Sequence, residues 1–271
     1  MLLGGKRALI MGVANNRSIA WGIARAFHRE GAILAFTYQG ERLRENLVGL
    51  LAELGGADRF PCFPCDVTSD DEIAAVFAGL QDRWGALDVL VHCVAFAGRE
   101  ELARPFSEIS RAGYAQALDI SAYSLIRCAG AARPLLEAGG GGSIITLTYN
   151  AVERVVPSYG VMAVAKAALE TEVRYLAAEL GPSHVRVNAI SAGPIRTLAA
   201  SAVKGITGFR DAVEEIAPLR RNVTIDDIGD VAVFLASDLS RSVTGNTVFA
   251  DSGFHVMGVA GQLEVRRKAE S

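Results

Sequence analysis

Arg7-Ala8-Leu9-Ile10-Met11-Gly12-Val13-Ala14-Asn15-Asn16-Arg17-Ser18-Ile19-Ala20-Trp21-Gly22 decides the fold. The run 7–11 is short and apolar, as a buried strand is. Gly12 supplies a tight turn. An amphipathic helix then runs over 18–29, with Ala20, Ile23, Ala24 and Phe27 at helical spacing and Gly31 as its stop. Strand, glycine turn and helix N-terminus in this order create a place where an anion meets free backbone N–H groups, with Ser18 and Ile19 presenting a hydroxyl and amides. The turn is not G-x-G-x-x-G, so by itself it reads as well as a plain loop ending in a serine cap.

Working outward, the same unit recurs. Strands are expected over 33–37, 59–64, 87–92, 143–147, 185–190 and 247–250. Helices are expected over 41–54, 70–84 behind the N-cap Ser69, 110–137, 157–179 and 225–236. The glycines at 139–142 are a turn between helix and strand, because the pattern resumes at once. There is no internal repeat and no domain boundary. Alternation of this kind predicts an α/β chain: one doubly wound Rossmann-type domain over 1–271, with a parallel seven-stranded sheet flanked by helices. Ligands of such sheets bind at the C-terminal strand ends.

Composition narrows the function classes. The chain has 271 residues, 51% of them hydrophobic, and a net charge of −3. That balance gives no support for nucleic acid or an acidic membrane as partner. No apolar run approaches the ~20 residues of a membrane helix. Residues 1–7 are too short before their charges for a signal peptide, so a cytoplasmic protein is expected. Cys62 and Cys65 form a C-x-x-C at a strand end, without a second such pair; Cys93 and Cys128 are far away. They read as small buried residues, and no metal site is expected.

The loops after the strands carry the candidate site. After the second strand, Gln39 holds the position where an acidic residue grips an adenosine ribose or an arginine accepts a 2′-phosphate. Glu41 nearby opposes a 2′-phosphate and Arg42 and Arg44 offset it, so NADH is favoured over NADPH; all of these also suit an ordinary helix start. Asp66-Val67 flanks an adenine, or is simply a turn. The loop 93–98, with Val94 and Ala97, is small and apolar, as a loop under a ribose should be. His92, a lone histidine at a strand end, reads as structural. Beyond 185–190, Gly193-Pro194 turns the chain where nicotinamide belongs, followed by Ile195, Arg196, Thr197, Leu198 and Ala199, with the Ile195 backbone suited to a carboxamide and Thr197 to a pyrophosphate. Residues 195–210 suit a mobile substrate lid or an idle surface loop.

Tyr149 and Tyr159 precede Lys166, one of only four lysines. Tyr159 and Lys166 are seven residues apart, almost two helical turns or about 10.5 Å of rise, and so share a helix face. A phenol there donates to a developing oxyanion and an ammonium holds sugar hydroxyls. Tyr149 is either a partner in the chemistry or a packed strand-end aromatic.

With these residues the chain resembles the NADH-dependent enoyl-[acyl-carrier-protein] reductases of bacterial type II fatty acid synthesis, a divergent branch of the short-chain dehydrogenases/reductases. Gly12 with Ser18-Ile19-Ala20, 36–39, Asp66-Val67, 119–124, Tyr149, Tyr159-x6-Lys166 and 186–200 carry the likeness over nearly the whole chain. Commoner short-chain enzymes use Tyr-x3-Lys, and position 163 is Ala. The resemblance implies hydride transfer from NADH to the β-carbon of a trans-2-enoyl thioester, with Tyr149, Tyr159 and Lys166 catalytic and Ala97, Tyr149 and Tyr159 at the substrate. It also implies acyl carrier protein as partner and a homotetramer. Ala95 departs from the glycine of many relatives, narrowing the space beside the cofactor. A different reductase of the same fold, or an NADH-binding regulator, remains the alternative.

Overall fold

The computed structural model describes residues 1–197 and 206–258, without the side chains of 206, 207 and 209. Its strands are β1 (Arg7–Met11), β2 (Ile33–Tyr38), β3 (Cys62–Pro64), β4 (Val89–His92), β5 (Gly142–Thr148), β6 (Val185–Ala192) and β7 (Thr247–Ala250). They form one sheet in the order β3-β2-β1-β4-β5-β6-β7, and every neighbouring pair is parallel. The chain winds outward from β1 to β3, then returns to β4 on the other side of β1. The crevice between β1 and β4 is therefore the switch point at which such sheets bind ligands.

Strand β1 shows why both faces need cover. Its alternate residues Ala8 and Ile10 belong to one core, Leu9 and Met11 to the other. The first core is closed by α1 (Ile19–Arg29) and α9 (Ile225–Ala236), the second by α3 (Asp70–Trp84), α6 (Ser124–Ala138) and α7 (Gly160–Leu180). Helices α1 and α9 touch backbone to backbone: a Cβ at Gly22 would stand 2.2 Å from the Ile225 carbonyl oxygen. Helix α9 starts on a complete capping box between Thr224 and Asp227.

Several boundaries differ from the expectations, each for a local reason. Residues 57–59 are a 3₁₀ turn after Gly56 at φ +107°, which leaves β3 only three residues. The helix expected over 110–137 is broken into α5 (Arg111–Leu118), a π-helical turn at Asp119–Tyr123, and α6. Helix α7 starts at Gly160, because Ser158 takes φ +59° and Tyr159 is not helical. Two further helices were not foreseen, α4 (Arg99–Ala103) and α8 (Ile206–Ile216). No helix among the described residues is long and apolar enough to cross a membrane.

Candidate active site

The first turn is built for an anion. Gly12 has φ +91°, and a Cβ there would stand 2.1 Å from the Cys93 carbonyl oxygen, so only glycine lets the loops after β1 and β4 meet. Ser18 does not cap α1. Its Oγ instead accepts the N–H groups of Ala14 and Asn15, at 3.1 and 3.0 Å, and so shapes the loop. The Ile19 and Ala20 N–H groups that open α1 receive no side-chain cap from Ser18, and the first turn carries no acidic residue. A dinucleotide pyrophosphate matches both features. Ile19, next to Ser18, packs on the core below. Asn46, from α2 (Glu41–Leu51), donates to the Ala14 carbonyl at 3.1 Å and braces the loop from outside.

Gln39 and Asp66, singled out separately in the sequence, meet in the fold. The Gln39 amide donates to Asp66 Oδ2 at 2.8 Å across the ends of β2 and β3. Asp66 also accepts from the Thr68 N–H and hydroxyl, which together with Gln39 hold its carboxyl below the usual range despite partial burial. Val67 packs against the second core. Glu41 accepts a 2.6 Å hydrogen bond from Arg44 in an exposed ion pair, so that arginine is already engaged.

The chemical end lies across the switch point. Lys166 is 5% exposed, and its Nζ donates to the Leu147 carbonyl at 2.8 Å. Burial lowers its pKa to about 8. Tyr149 follows β5, and its ring meets the Tyr159 ring edge to face, with centroids 5.0 Å apart. Burial pushes both phenols up, so each stays a hydrogen-bond donor at neutral pH. The expected two-turn helical spacing of Tyr159 and Lys166 is corrected here. Tyr159 is the residue before α7, and its carbonyl accepts the Ala163 N–H at 2.8 Å. Ala97 and Tyr159 both pack on a small cluster of Leu102, Ala117, Val161, Met162 and Ala165. Val94 is half-buried in the loop between Gly12 and Ala97, and Ala95 is exposed.

Below the loop, His92 is fully buried, 2.8 Å from Ser124 Oγ and 3.2 Å from Thr146 Oγ1. Burial, with Lys166 nearby, lowers its pKa to about 3, so the imidazole is neutral. The four cysteines are free thiols pushed up by burial, Cys62 and Cys65 to about 11 and Cys93 to about 12. No metal-binding group of His, Cys, Asp and Glu exists among the described residues.

At the third edge, the Gly193 N–H donates to the Ala250 carbonyl at 2.9 Å. Ile195 is buried, Arg196 is exposed, and the Thr197 N–H donates to the Ile195 carbonyl at 2.8 Å. Leu198 and Ala199 lie outside the described residues, as does the rest of the expected lid between Thr197 and α8, residues 200–205. Arg210 of α8 donates to the Pro194 carbonyl at 3.2 Å and joins α8 to this turn. Sequence reasoning missed Asp251, which is buried and accepts from the Gly253 N–H, the His255 N–H and His255 Nδ1. His255 stacks on Phe249 with centroids 4.0 Å apart. The signal was present as Asp-Ser-Gly-Phe-His directly after the last strand.

Comparison with known proteins shows the family of the chain. The family profile described as enoyl-(acyl carrier protein) reductase matches residues 12–255. The chain belongs to the enoyl-(acyl carrier protein) reductase family. Among its relatives in that family, the enoyl-[acyl-carrier-protein] reductase [NADH] FabI of Nostoc sp. is 53% identical over 95% of this chain and 99% of its own. The solved enoyl-acyl carrier protein reductase of Bacillus cereus, in complex with NADP+ and indole naphthyridinone, superimposes with a TM-score of 0.92. It is 50% identical and the match covers 95% of this chain and 99% of that one. The reductase of Anaplasma phagocytophilum, solved in complex with NAD, has a TM-score of 0.91 at 44% identity, over 97% and 98% of the two chains.

Proposed function

We propose that this reductase uses NADH to saturate trans-2-enoyl thioesters carried on acyl carrier protein, in the elongation cycle of fatty acid synthesis. The observation that carries the reading is the pairing at the chemical end of two half-buried, protonated phenols, edge to face before α7, with a buried, desolvated lysine on that helix.

The residues fit a nicotinamide dinucleotide. Gly12 lets the loops after β1 and β4 close together, and the same turn leads into the start of α1, which has no side-chain cap. Two buried oxygens near the strand ends, Asn150 Oδ1 and Ser191 Oγ, have no hydrogen-bond partner among the described residues. Gly12, Ser18 and Ile19 hold the pyrophosphate, Gln39, Asp66 and Val67 the adenosine, and Val94 and Lys166 the nicotinamide ribose. Residues 195–199 complete the nicotinamide side. When bound, NADH supplies the hydride.

Tyr159 donates its O–H hydrogen bond to the thioester oxygen, where charge gathers as an enolate; one such donor is worth about 3 kcal/mol. Lys166 adds positive charge in a site with little water, where it acts more strongly than in bulk solvent. Tyr149, in edge contact with Tyr159, fixes that ring and lines the acyl site with Ala97. Residues 195–210 act as the lid over the substrate.

The enzyme works in the cytoplasm and assembles as a homotetramer on the helices after β4 and β5. That assembly accounts for the exposed Tyr114, Tyr123, Ile126 and Tyr175 on α5, the π turn, α6 and α7. The test is NADH consumption followed by absorbance with enoyl thioesters on carrier protein and on coenzyme A, and with simple ketones. Turnover restricted to enoyl thioesters, fastest on carrier protein, supports the reading; turnover of ketones alone overturns it.

A further inference from the structure

Four hydroxyl and imidazole groups below the cofactor loop touch no proposed substrate atom, yet all are buried. His92, Ser121 and Ser124 are each 0% exposed, as is Thr146. Burying such groups inside a protein is costly unless each is hydrogen-bonded. Here each is, and the bonds converge on one place.

Ser121 Oγ accepts the Phe96 N–H at 2.9 Å and donates to the Phe96 carbonyl at 3.1 Å. It therefore satisfies both backbone groups of a single loop residue. Ser124 Oγ donates to the Ile120 carbonyl at 2.7 Å and stands 2.8 Å from His92 Nε2. The neutral His92 ring donates through one nitrogen and accepts through the other, so of the Ser124 and Thr146 hydroxyls one accepts from it and one donates to it. Thr146 Oγ1 lies 3.2 Å from the other ring nitrogen and donates to the His92 carbonyl at 3.1 Å.

His92 ends β4 and Phe96 lies four residues on, so the segment 93–95 is held at both ends by one stretch of helix. That stretch is the π-helical turn Asp119–Tyr123 and the first residue of α6. Single π turns inside α-helices recur at functional sites. The clamped segment is also the one whose Cys93 carbonyl fits against Gly12.

We propose that Ser121, Ser124 and His92 are positioning residues for the cofactor: the π turn clasps the loop 93–95 at both ends and fixes it in its NADH-binding shape. The proposal rests on the reading of this site as an NADH site. Fixing the loop before binding removes an ordering cost from the affinity for NADH. None of the three residues takes part in the hydride or proton steps.

A merely structural role predicts lost stability without selective loss of cofactor. Ser143 supplies the comparison. It is equally buried and donates to the Leu235 carbonyl at 2.8 Å, but it lies at the opposite end of β5. NADH affinity is measured by fluorescence of the bound reduced nicotinamide, with thermal melting and steady-state kinetics alongside. Ser121→Ala is expected to weaken NADH binding about tenfold and raise its KM to match, with kcat at saturating NADH within about threefold. Ser121→Thr restores affinity, and Ser143→Ala lowers the melting temperature without weakening NADH. Ser124→Ala, which frees only the His92 end, gives a smaller loss and serves if Ser121→Ala does not fold. Unchanged NADH affinity in both alanine variants, or an equal loss in Ser143→Ala, overturns the inference while the proposed function stands. A wild-type chain that binds no NADH overturns both.

Discussion

The two ends of the cofactor crevice are built on opposite principles. At the adenosine end, Gln39, Asp66, Glu41 and Arg44 are solvated and hydrogen-bonded to one another. The one resolved carboxyl shift there, Asp66 downward, comes first from the Thr68 N–H. At the chemical end, Lys166, His92, Tyr149 and Tyr159 are moved mainly by burial, Lys166 down to about 8 and His92 down to about 3. Where the enzyme only grips, water screens and the side chains adjust. Where charge must develop, water is excluded and groups are fixed beforehand. Substitutions should therefore cost far more at the second end than at the first.

The largest effect is expected from Lys166→Met. It removes the buried ammonium and is expected to lower kcat/KM by about a hundredfold or more, with a higher NADH dissociation constant. A loss no larger than at the adenosine end would erase the contrast. Gly12→Ala comes next. The new methyl meets the Cys93 carbonyl, so one of the two loops must move. A positive φ adds about 1–3 kcal/mol of strain for a residue with a side chain. Lower melting temperature and weaker NADH binding should appear together.

The pH dependence sharpens the contrast. Lys166 titrates at about 8 in the fold rather than 10.5. Between those values the unfolded chain binds more protons than the folded one, so this group's contribution to stability rises with pH. NADH affinity and activity move the other way, falling as pH passes about 8 and the amine loses its charge. Opposite slopes in melting and in NADH binding over this window are the signature, and both slopes should vanish in Lys166→Met. The smallest effect is expected at the solvated end. Glu41→Gln removes an exposed charge and frees Arg44, raising the kcat/KM for NADPH relative to NADH by only about a few-fold.

How far the sequence reached follows the same physics. Strands β1 and β7 and helices α3 and α9 were readable to the residue. Apolar runs mark the strands, and the N-cap Ser69 marks where α3 begins. The π turn was invisible because apolar periodicity runs through it without a glycine or proline to signal the break. The start of α7 was misread because a positive φ at Ser158, a residue that rarely adopts one, ends the turn before Tyr159. At the site, Tyr149, Tyr159 and Lys166 stood out as a scarce lysine near two phenols. The Gln39–Asp66 bond and the clasp of Phe96 by Ser121 did not, since each joins residues from separate elements whose spacing carries no local pattern.

The central claim is that the half-buried phenol before α7 stabilises charge formed on a thioester, and Tyr159→Phe tests it most directly. NADH oxidation with a trans-2-enoyl thioester on carrier protein is measured for wild type and variant, with NADH affinity measured in parallel. The account predicts kcat lower by about a hundredfold to a thousandfold with NADH binding unchanged. Full turnover in Tyr159→Phe would contradict it and move the oxyanion donor elsewhere in the site.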